Sequence, residues 1–289
     1  MIGDVAATVD SGRLLDEAAV QLRRAGVESP RREARLLLAH AMGASAREIA
    51  TGRIAIPQKS AEIFSALLHR RCRREPFAYI TGTREFWSLA FTVSREVLIP
   101  RPETETLIES ALRQFPSRDA ALRILDLGTG SGCLLLAFLS EKPNATGLGV
   151  DLSQAAVRLA AHNARGLSLE RRAHFIQSHW TAAISGVFDV VFANPPYIPA
   201  GEFAGLAAEV AQYEPRLALD GGADGLRAYR EIAAGLPSLM APGATLFVEA
   251  GYGQATDVRR IFAAAKFQHQ DTVCDLSDIP RCVVMRMNV

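Results

Sequence analysis

RILDLGTGSG, residues 123–132, decides the fold. A short apolar run passes straight into a turn with Gly128, Gly130 and Gly132 at alternate positions, and an apolar helical block opens at Cys133. At such a strand–turn–helix junction the glycines permit a tight turn and let a ligand approach the backbone closely. Dinucleotide enzymes seat a pyrophosphate on a related turn at a helix N-terminus. Here the spacing is G-x-G-x-G instead of G-x-G-x-x-G, and Asp126 stands two residues ahead of the first glycine. An acid at that point suits a cationic ligand group, such as the aminoacyl end of S-adenosylmethionine. Asp151 ends the next apolar run, TGLGVD, and is placed to accept hydrogen bonds from two ribose hydroxyls. A nicotinamide dinucleotide would use the same acid, so the loop and Asp151 favour the methyl donor and leave the dinucleotide open.

Outward from this stretch, short apolar runs and helical stretches alternate. The runs RILDLG, TGLGVD, AHFIQ, FDVVFAN and ATLFVEAG are separated by helical segments such as residues 153–165 and 226–239. That order predicts an α/β domain with a mostly parallel sheet covered on both faces. The last two runs, residues 267–273 and 281–287, have no helix between them, so the final strand is expected to return antiparallel at or near an edge.

The tetrapeptide Asn194-Pro195-Pro196-Tyr197 follows the run FDVVFA directly. In an open parallel sheet the ligand crevice lies beyond the carboxyl ends of the strands, which brings this segment beside the glycine loop. Two adjacent prolines stiffen the backbone and remove two N–H donors, leaving an acceptor site. The Asn194 side-chain oxygen and the Pro195 carbonyl can each take one N–H of a planar amide or amino group. That orients a weak nucleophile and favours pyramidalisation toward a methyl group, without a strong base. Asn194 and Pro195 are therefore the candidate catalytic residues. Tyr197 offers an apolar face to the substrate side chain or the sulfonium.

Ahead of this domain, Leu14, Leu15, Ala18, Leu22 and Ala25 recur at helical spacing between Ser11 and Gly26. A second helix is expected over residues 31–42 between Ser29-Pro30 and Gly43, and Ser45-x-x-Glu48 reads as a capping box heading a third. A fourth, over about residues 60–74, is expected to present Ile63, Leu67 and Leu68 inward. This small bundle has no catalytic spacing, and its roles reduce to partner recognition or plain packing. TREFWSLAFTVS, residues 83–94, suggests a hairpin around Ser88-Leu89. The resulting division is a helical bundle over 1–82, a hairpin linker over 83–100 and the ligand-binding domain over 101–289. IPRPETE, residues 99–105, then leads into a helical stripe of Leu107, Ile108, Ala111, Leu112 and Phe115.

Composition narrows the function classes. Lys and Arg number 32 against 31 Asp and Glu, so no global field would hold a nucleic-acid backbone. Residues 1–85 carry 14 of the basic and 10 of the acidic side chains, which tilts the front toward acidic partners or a solvated helical face. The four cysteines lack paired C-x-x-C spacing, so neither zinc nor a redox dithiol is indicated and no metal is expected. No apolar stretch approaches the roughly 20 residues that cross a bilayer, and the first 20 residues show no leader pattern. A cytoplasmic monomer without membrane or direct nucleic-acid contact is the expectation.

The combination of the helical front, PFAYITGTREFW, IPRPETE, DLGTGSG, NPPY and YEPRLALDGGADGL resembles the release-factor glutamine methyltransferase family (PrmC/HemK) over nearly the whole chain. NPPY alone also resembles DNA adenine methyltransferases, and a sister group acting on a ribosomal protein shares it. The resemblance implies a class I, Rossmann-like methyltransferase fold with a seven-stranded sheet. It implies S-adenosylmethionine contacts at Gly128, Thr129, Gly130, Ser131, Gly132, Asp151, Trp180 and Asn194, and substrate contacts at Asn194, Pro195, Pro196 and Tyr197. The implied product is N5-methylglutamine in the Gly-Gly-Gln motif of class I peptide chain release factors, which the front bundle would recognise. Two positions depart from the family's pattern. His179-Trp180 stands where Asp-Trp is common, removing an acid that can meet the adenine amino group while Trp180 keeps an apolar wall. Val210-Ala211-Gln212 stands where a basic residue is frequent.

The rival readings each lack a feature. A DNA adenine-N6 methyltransferase would need a basic cleft and a target-recognition segment. A nicotinamide dehydrogenase would need a hydride-transfer acid/base pair. A silent binding module would not need the acceptor tetrapeptide and glycine loop together.

Overall fold

The computed structural model describes residues 8–50 and 55–287; residues 1–7, read above for a leader, lie outside the described residues, as do 51–54 and 288–289. The chain divides into two compact units: Met1–Gly82 together with Ala207–Tyr213, and Thr83–Leu206 together with Glu214–Val289.

In the first unit, β1 (Thr8–Asp10) pairs antiparallel with β2 (Ala55–Pro57), and α1 (Ser11–Arg24), α2 (Pro30–Met42), α3 (Ala46–Ala50), α4 (Gln58–Cys72) and α5 (Phe77–Thr81) surround a core that includes Leu22, Leu37, Leu38, Ile56 and Phe64. The start of α1 lies one residue earlier than Ser11 suggested. Asp10 is the cap and its carboxylate accepts the Arg13 N–H at 2.9 Å, while Ser11 is buried in the first turn. The capping box forms as read: Ser45 N donates to Glu48 Oε2 at 2.7 Å and Glu48 N to Ser45 Oγ at 3.2 Å. In α4 the inward stripe is displaced. Phe64 and Leu68 are buried at i, i+4 spacing and Ile63 is exposed, because the bulkier aromatic side chain takes the core position. Arg71 continues that stripe as a buried cation, bonded to Glu33 at 2.5 Å and to Glu209 at 3.1 Å, and Glu209 lies on α9 (Ala208–Tyr213). Arg74 also reaches Glu209, at 2.5 Å. Glu209, one residue before the Val210-Ala211-Gln212 departure, is thus the anchor of its segment, and the Tyr213 hydroxyl adds a 2.6 Å bond to the Arg73 carbonyl.

In the second unit, β3 (Thr83–Phe86) and β4 (Leu89–Thr92) form the hairpin, and both turn residues, Trp87 and Ser88, have positive φ. That is the backbone of a two-residue hairpin turn, which sets its centre one residue before Ser88-Leu89. Phe86 and Phe91 are buried in the core of this unit, so the hairpin belongs to it. Next come α6 (Glu105–Gln114), β5 (Arg123–Leu127), α7 (Cys133–Glu141), β6 (Thr146–Asp151), α8 (Gln154–Gly166), β7 (Ala173–Gln177) and β8 (Phe188–Ala193). After α9 follow α10 (Arg227–Gly235), β9 (Met240–Glu249), α11 (Ala255–Ala264), β10 (Phe267–Cys274) and β11 (Pro280–Met287). Seven strands lie in the order β10-β11-β9-β8-β5-β6-β7, parallel except that β11 runs antiparallel to both its neighbours, one place from the edge. The α/β class and the antiparallel return are as the sequence indicated. Residues buried on both faces make β5, β8 and β9 nearly continuous apolar runs. The order reverses at β5, which puts the crevice at the carboxyl ends of β5, β6, β8 and β9.

Candidate active site

The glycine loop leaves β5 and closes on β6. Gly128 N and Thr129 N both donate to the Val150 carbonyl, at 2.8 and 2.9 Å, and Gly130 N donates to Asp151 Oδ2 at 2.9 Å. Gly128 adopts φ +75°, and a Cβ there would lie 3.4 Å from Trp180 Cζ3 and 3.8 Å from the Asn194 carbonyl, so three separate sequence segments meet around one α-carbon. Gly132 has a different neighbourhood: at φ +82° its missing Cβ would stand 3.2 Å from Ala160 Cβ and Leu136 Cδ1, which lets α7 approach α8. Asn163 on α8 braces the loop, donating to the carbonyls of Ser131 (2.9 Å) and Thr92 (3.0 Å) while accepting the Thr92 N–H.

A cavity of about 570 Å³, within the range of small-molecule sites, opens here. Gly128, Thr129, Gly130, Ser131, Asp151, Trp180, Asn194 and Pro196 line it. Gly132, Pro195 and Tyr197 are not in its wall. Asp126 is absent from the wall as well. It is buried, and its Oδ2 accepts the Thr129 hydroxyl at 2.5 Å. Burial pushes its carboxyl up to about 7 against the lowering effect of that bond, and its Oδ1 has no partner among the described residues. The acid read as facing a cationic ligand group is thus spent first on the turn, because an aspartate three residues before a threonine at a helix start bonds locally.

The same geometry tests the cofactor. A pyrophosphate needs free N–H groups, whereas the N–H groups of Gly128, Thr129 and Gly130 are engaged within the fold. Among the described residues one N–H reaches each oxygen of Asp151, from Gly130 and, at 2.8 Å, from Ser153, so each oxygen keeps capacity for a ribose hydroxyl. Burial raises its pKa and the backbone N–H bonds oppose that. Trp180 supplies an apolar wall, its indole Nε1 donating to Glu231 Oε2 at 2.7 Å. His179 Nε2 lies 3.3 Å from the same oxygen. Glu231, from α10, places a carboxylate in the cavity wall beside Trp180. This donor set fits S-adenosylmethionine.

The acceptor tetrapeptide is held from behind. Asn194 Nδ2 donates to Thr104 Oγ1 at 3.2 Å, and Thr104 Oγ1 donates to Glu249 Oε2 at 2.6 Å. Among the described residues none donates to Asn194 Oδ1 or to the Pro195 carbonyl. Gln254 Nε2 holds the Tyr197 carbonyl at 3.0 Å, and the Tyr197 hydroxyl stands 3.5 Å from Glu249 Oε1. Burial pushes the Glu249 carboxyl up to about 7, opposed by the Thr104 hydroxyl and Arg281. Glu249 and Gln254 therefore support the loop from outside the cavity wall, and Tyr252 is exposed. IPRPETE, legible only as a motif, proves to be a junction. Arg101 grips Glu214 of the YEPRLALDGGADGL segment at 2.6 and 2.7 Å, Thr104 carries Asn194, and Glu105 Oε1 accepts the Trp87 N–H at 2.7 Å. Thr104 was not singled out in the sequence, since a lone threonine before a helix reads as a cap.

Models of known families match in two places: the PrmC N-terminal domain over residues 13–82 and the methyltransferase small domain over residues 104–216. A release factor glutamine methyltransferase from Rhodospirillum rubrum is 48% identical over 277 residues, covering 95% of this chain and 84% of that protein. The chain belongs to the release factor glutamine methyltransferase family. Another member, from Caulobacter vibrioides, is 44% identical over 268 residues, covering 91% of this chain and 92% of its own. A methyltransferase structure from Pyrococcus furiosus, at 14% identity and a TM-score of 0.51, covers 76% of this chain and 99% of its own, and shares the fold. A class I methyltransferase fold with S-adenosylmethionine as methyl donor is common ground between these release factor glutamine methyltransferases and the geometry above. Among the described residues no helix is long and apolar enough to cross a membrane, and no cluster of His, Cys, Asp and Glu is arranged to hold a metal ion.

Proposed function

We propose that this protein methylates the side-chain amide nitrogen, N5, of the glutamine in the Gly-Gly-Gln motif of class I peptide chain release factors, as a cytoplasmic monomer without nucleic-acid contact. One observation carries the reading: two carbonyl oxygens without a donor among the described residues, Asn194 Oδ1 and the Pro195 main chain, on a proline-stiffened loop whose Asn194 and Pro196 enter the wall of the cofactor cavity. A primary amide has two N–H groups and a delocalised lone pair, so two fixed acceptors orient it and raise its readiness to pyramidalise.

Bound S-adenosylmethionine supplies an electrophilic methyl group. Asp151 would hold its ribose, Trp180 and Gly128 its flat apolar surface, and Glu231 the wall beside Trp180. Asn194 and Pro195 accept the amide N–H groups and share the positive charge that develops on nitrogen during transfer. Pro196 and Tyr197 flank the glutamine side chain. Residues 1–82 recognise the release factor, with the stretch 83–100 leading into the transferase domain over 101–289.

Incubation with radiolabelled S-adenosylmethionine and, separately, full-length release factors or DNA tests the proposal. Label on the Gly-Gly-Gln peptide after proteolysis is the expected outcome. Label on DNA adenine, or on a ribosomal protein in preference to release factors, would overturn it.

A further inference from the structure

Asn194 can serve as an acceptor only if its amide is turned the right way, and an asparagine amide has two nearly isosteric orientations. Its NH2 end is on Thr104, whose hydroxyl is on Glu249, a residue 2% exposed. An ionised carboxylate only accepts, so Thr104 must give its single proton to Glu249 and offer a lone pair to Asn194. A lone pair can be met only by the NH2 end, and Oδ1 is left for the substrate. A protonated Glu249 would donate to Thr104, Thr104 could then donate onward, and the Oδ1 end of Asn194 would satisfy it equally well.

We propose that Thr104 and Glu249 are positioning residues of the transfer reaction: the buried Glu249 carboxylate, acting through the Thr104 hydroxyl, sets which end of the Asn194 amide faces the substrate. The inference deepens the amide-acceptor reading and rests on it for its catalytic consequence, whereas the relay itself is a property of the folded chain. Thr104 lies 145 residues from Glu249 and 90 from Asn194 in sequence, so three distant segments converge on one hydroxyl. Neither a cap nor core packing explains an acid at this depth, for among the described residues Glu249 makes no ion pair, and Arg281 bonds Asp275 at 3.0 Å. The groups that bear on Glu249 are Glu103 ahead of α6, Arg281 and Cys282 on β11, Cys133 on α7, Tyr197 on the acceptor loop and Tyr229 on α10. Burial outweighs the lowering effect of Thr104 and Arg281, which puts the carboxyl's titration near neutrality. The relay therefore gives the protein an acid limb: turnover falls as pH drops through the Glu249 transition, while S-adenosylmethionine affinity does not follow it.

The test pairs kinetics with a direct view of the amide. Thr104→Val keeps the shape and removes the hydroxyl. It is expected to lower kcat on the order of 10- to 100-fold, the scale for losing an oriented polar group in a reaction site, with S-adenosylmethionine Kd changed less than about 3-fold. Thr104→Ser restores the hydroxyl and is expected to recover most of kcat. The Asn194 side-chain amide resonances, assigned by their loss in Asn194→Asp, are expected to titrate near neutral pH in the wild type. They are expected not to titrate in Glu249→Gln or Thr104→Val. A Thr104→Val protein with wild-type kcat, a Thr104→Ser protein no better than Thr104→Val, or Asn194 resonances that titrate alike in wild type and Glu249→Gln would each overturn the relay. If the wild type leaves release-factor glutamine unlabelled, the substrate proposal fails, and the resonances still decide the relay.

Discussion

The two ends of the reaction cavity hold their key groups by opposite means. At the donor end the glycine loop is wired over short range. Asp126 bonds Thr129 three residues on, and the loop N–H groups return to Val150 and Asp151 at the end of the adjacent parallel strand. At the acceptor end Asn194 depends on Thr104 and Glu249, which come from the short helical turn Pro102–Thr104 before α6 and the far end of β9. Both ends bury an acid whose carboxyl is pushed up to about 7, yet one shapes a turn and the other fixes an amide. A ligand that must be enclosed is served by local backbone geometry. A nucleophile that must be aimed requires side chains from several strands at once.

This contrast can be broken most sharply at Asn194. Asn194→Ala should reduce single-turnover methylation by about 100- to 1000-fold with little change in S-adenosylmethionine Kd by calorimetry, and equal rates would remove the acceptor role. Next in size is the pH response of the two acids. A carboxyl whose folded-state pKa lies above its unfolded value keeps the folded protein fully stable below the unfolded value near 4.5. It costs stability progressively as pH rises to about 7, and for Asp126 the loss starts lower, from an unfolded value near 3.8. Glu249→Gln and Asp126→Asn should each gain stability relative to wild type between pH 5 and pH 8, by at most roughly 3–4 kcal/mol, followed by denaturant unfolding. Only Glu249→Gln should also change the acid limb of turnover; if Asp126→Asn changes it equally, the two ends are not distinct.

Asp151→Ala should weaken S-adenosylmethionine about 10- to 50-fold through loss of charge-assisted bonds, leaving kcat at saturation closer to wild type; an unchanged Kd by calorimetry contradicts the ribose assignment. The smallest effect belongs to Gly132, which packs behind the loop. Gly132→Ala, strained at φ +82° and close to Ala160 and Leu136, should cost about 1–2 kcal/mol of stability while Kd changes less than in Asp151→Ala. Calorimetric unfolding together with binding checks both halves of that expectation.

Legibility in the sequence followed the range of the interactions. The strand runs TGLGVD and AHFIQ coincide with β6 and β7, and the Ser45–Glu48 capping box closes as read, because alternation of apolar runs and cap chemistry are decided within a few residues. Boundaries moved where two local solutions compete, as with Asp10 against Ser11 and Phe64 against Ile63. Glu231 and Thr104 gave no usable signal, since an acid on an amphipathic helix and a threonine before one are ordinary there. Glu209 is similar: its tie to Arg71 and Arg74 places Ala207–Tyr213 with the front unit across more than 130 residues of sequence.

The sequence by itself determined the α/β order of elements, the glycine turn, Asp151 at the end of its strand run and the proline-stiffened loop, because each follows from backbone restrictions and periodicity over short stretches. Only the tertiary structure decided which way Asn194 is aimed, what stands beside Trp180, and what anchors the 207–213 segment. Hydrogen bonds between residues 50 to 145 positions apart exist only once the sheet has brought them within about 3 Å of one another.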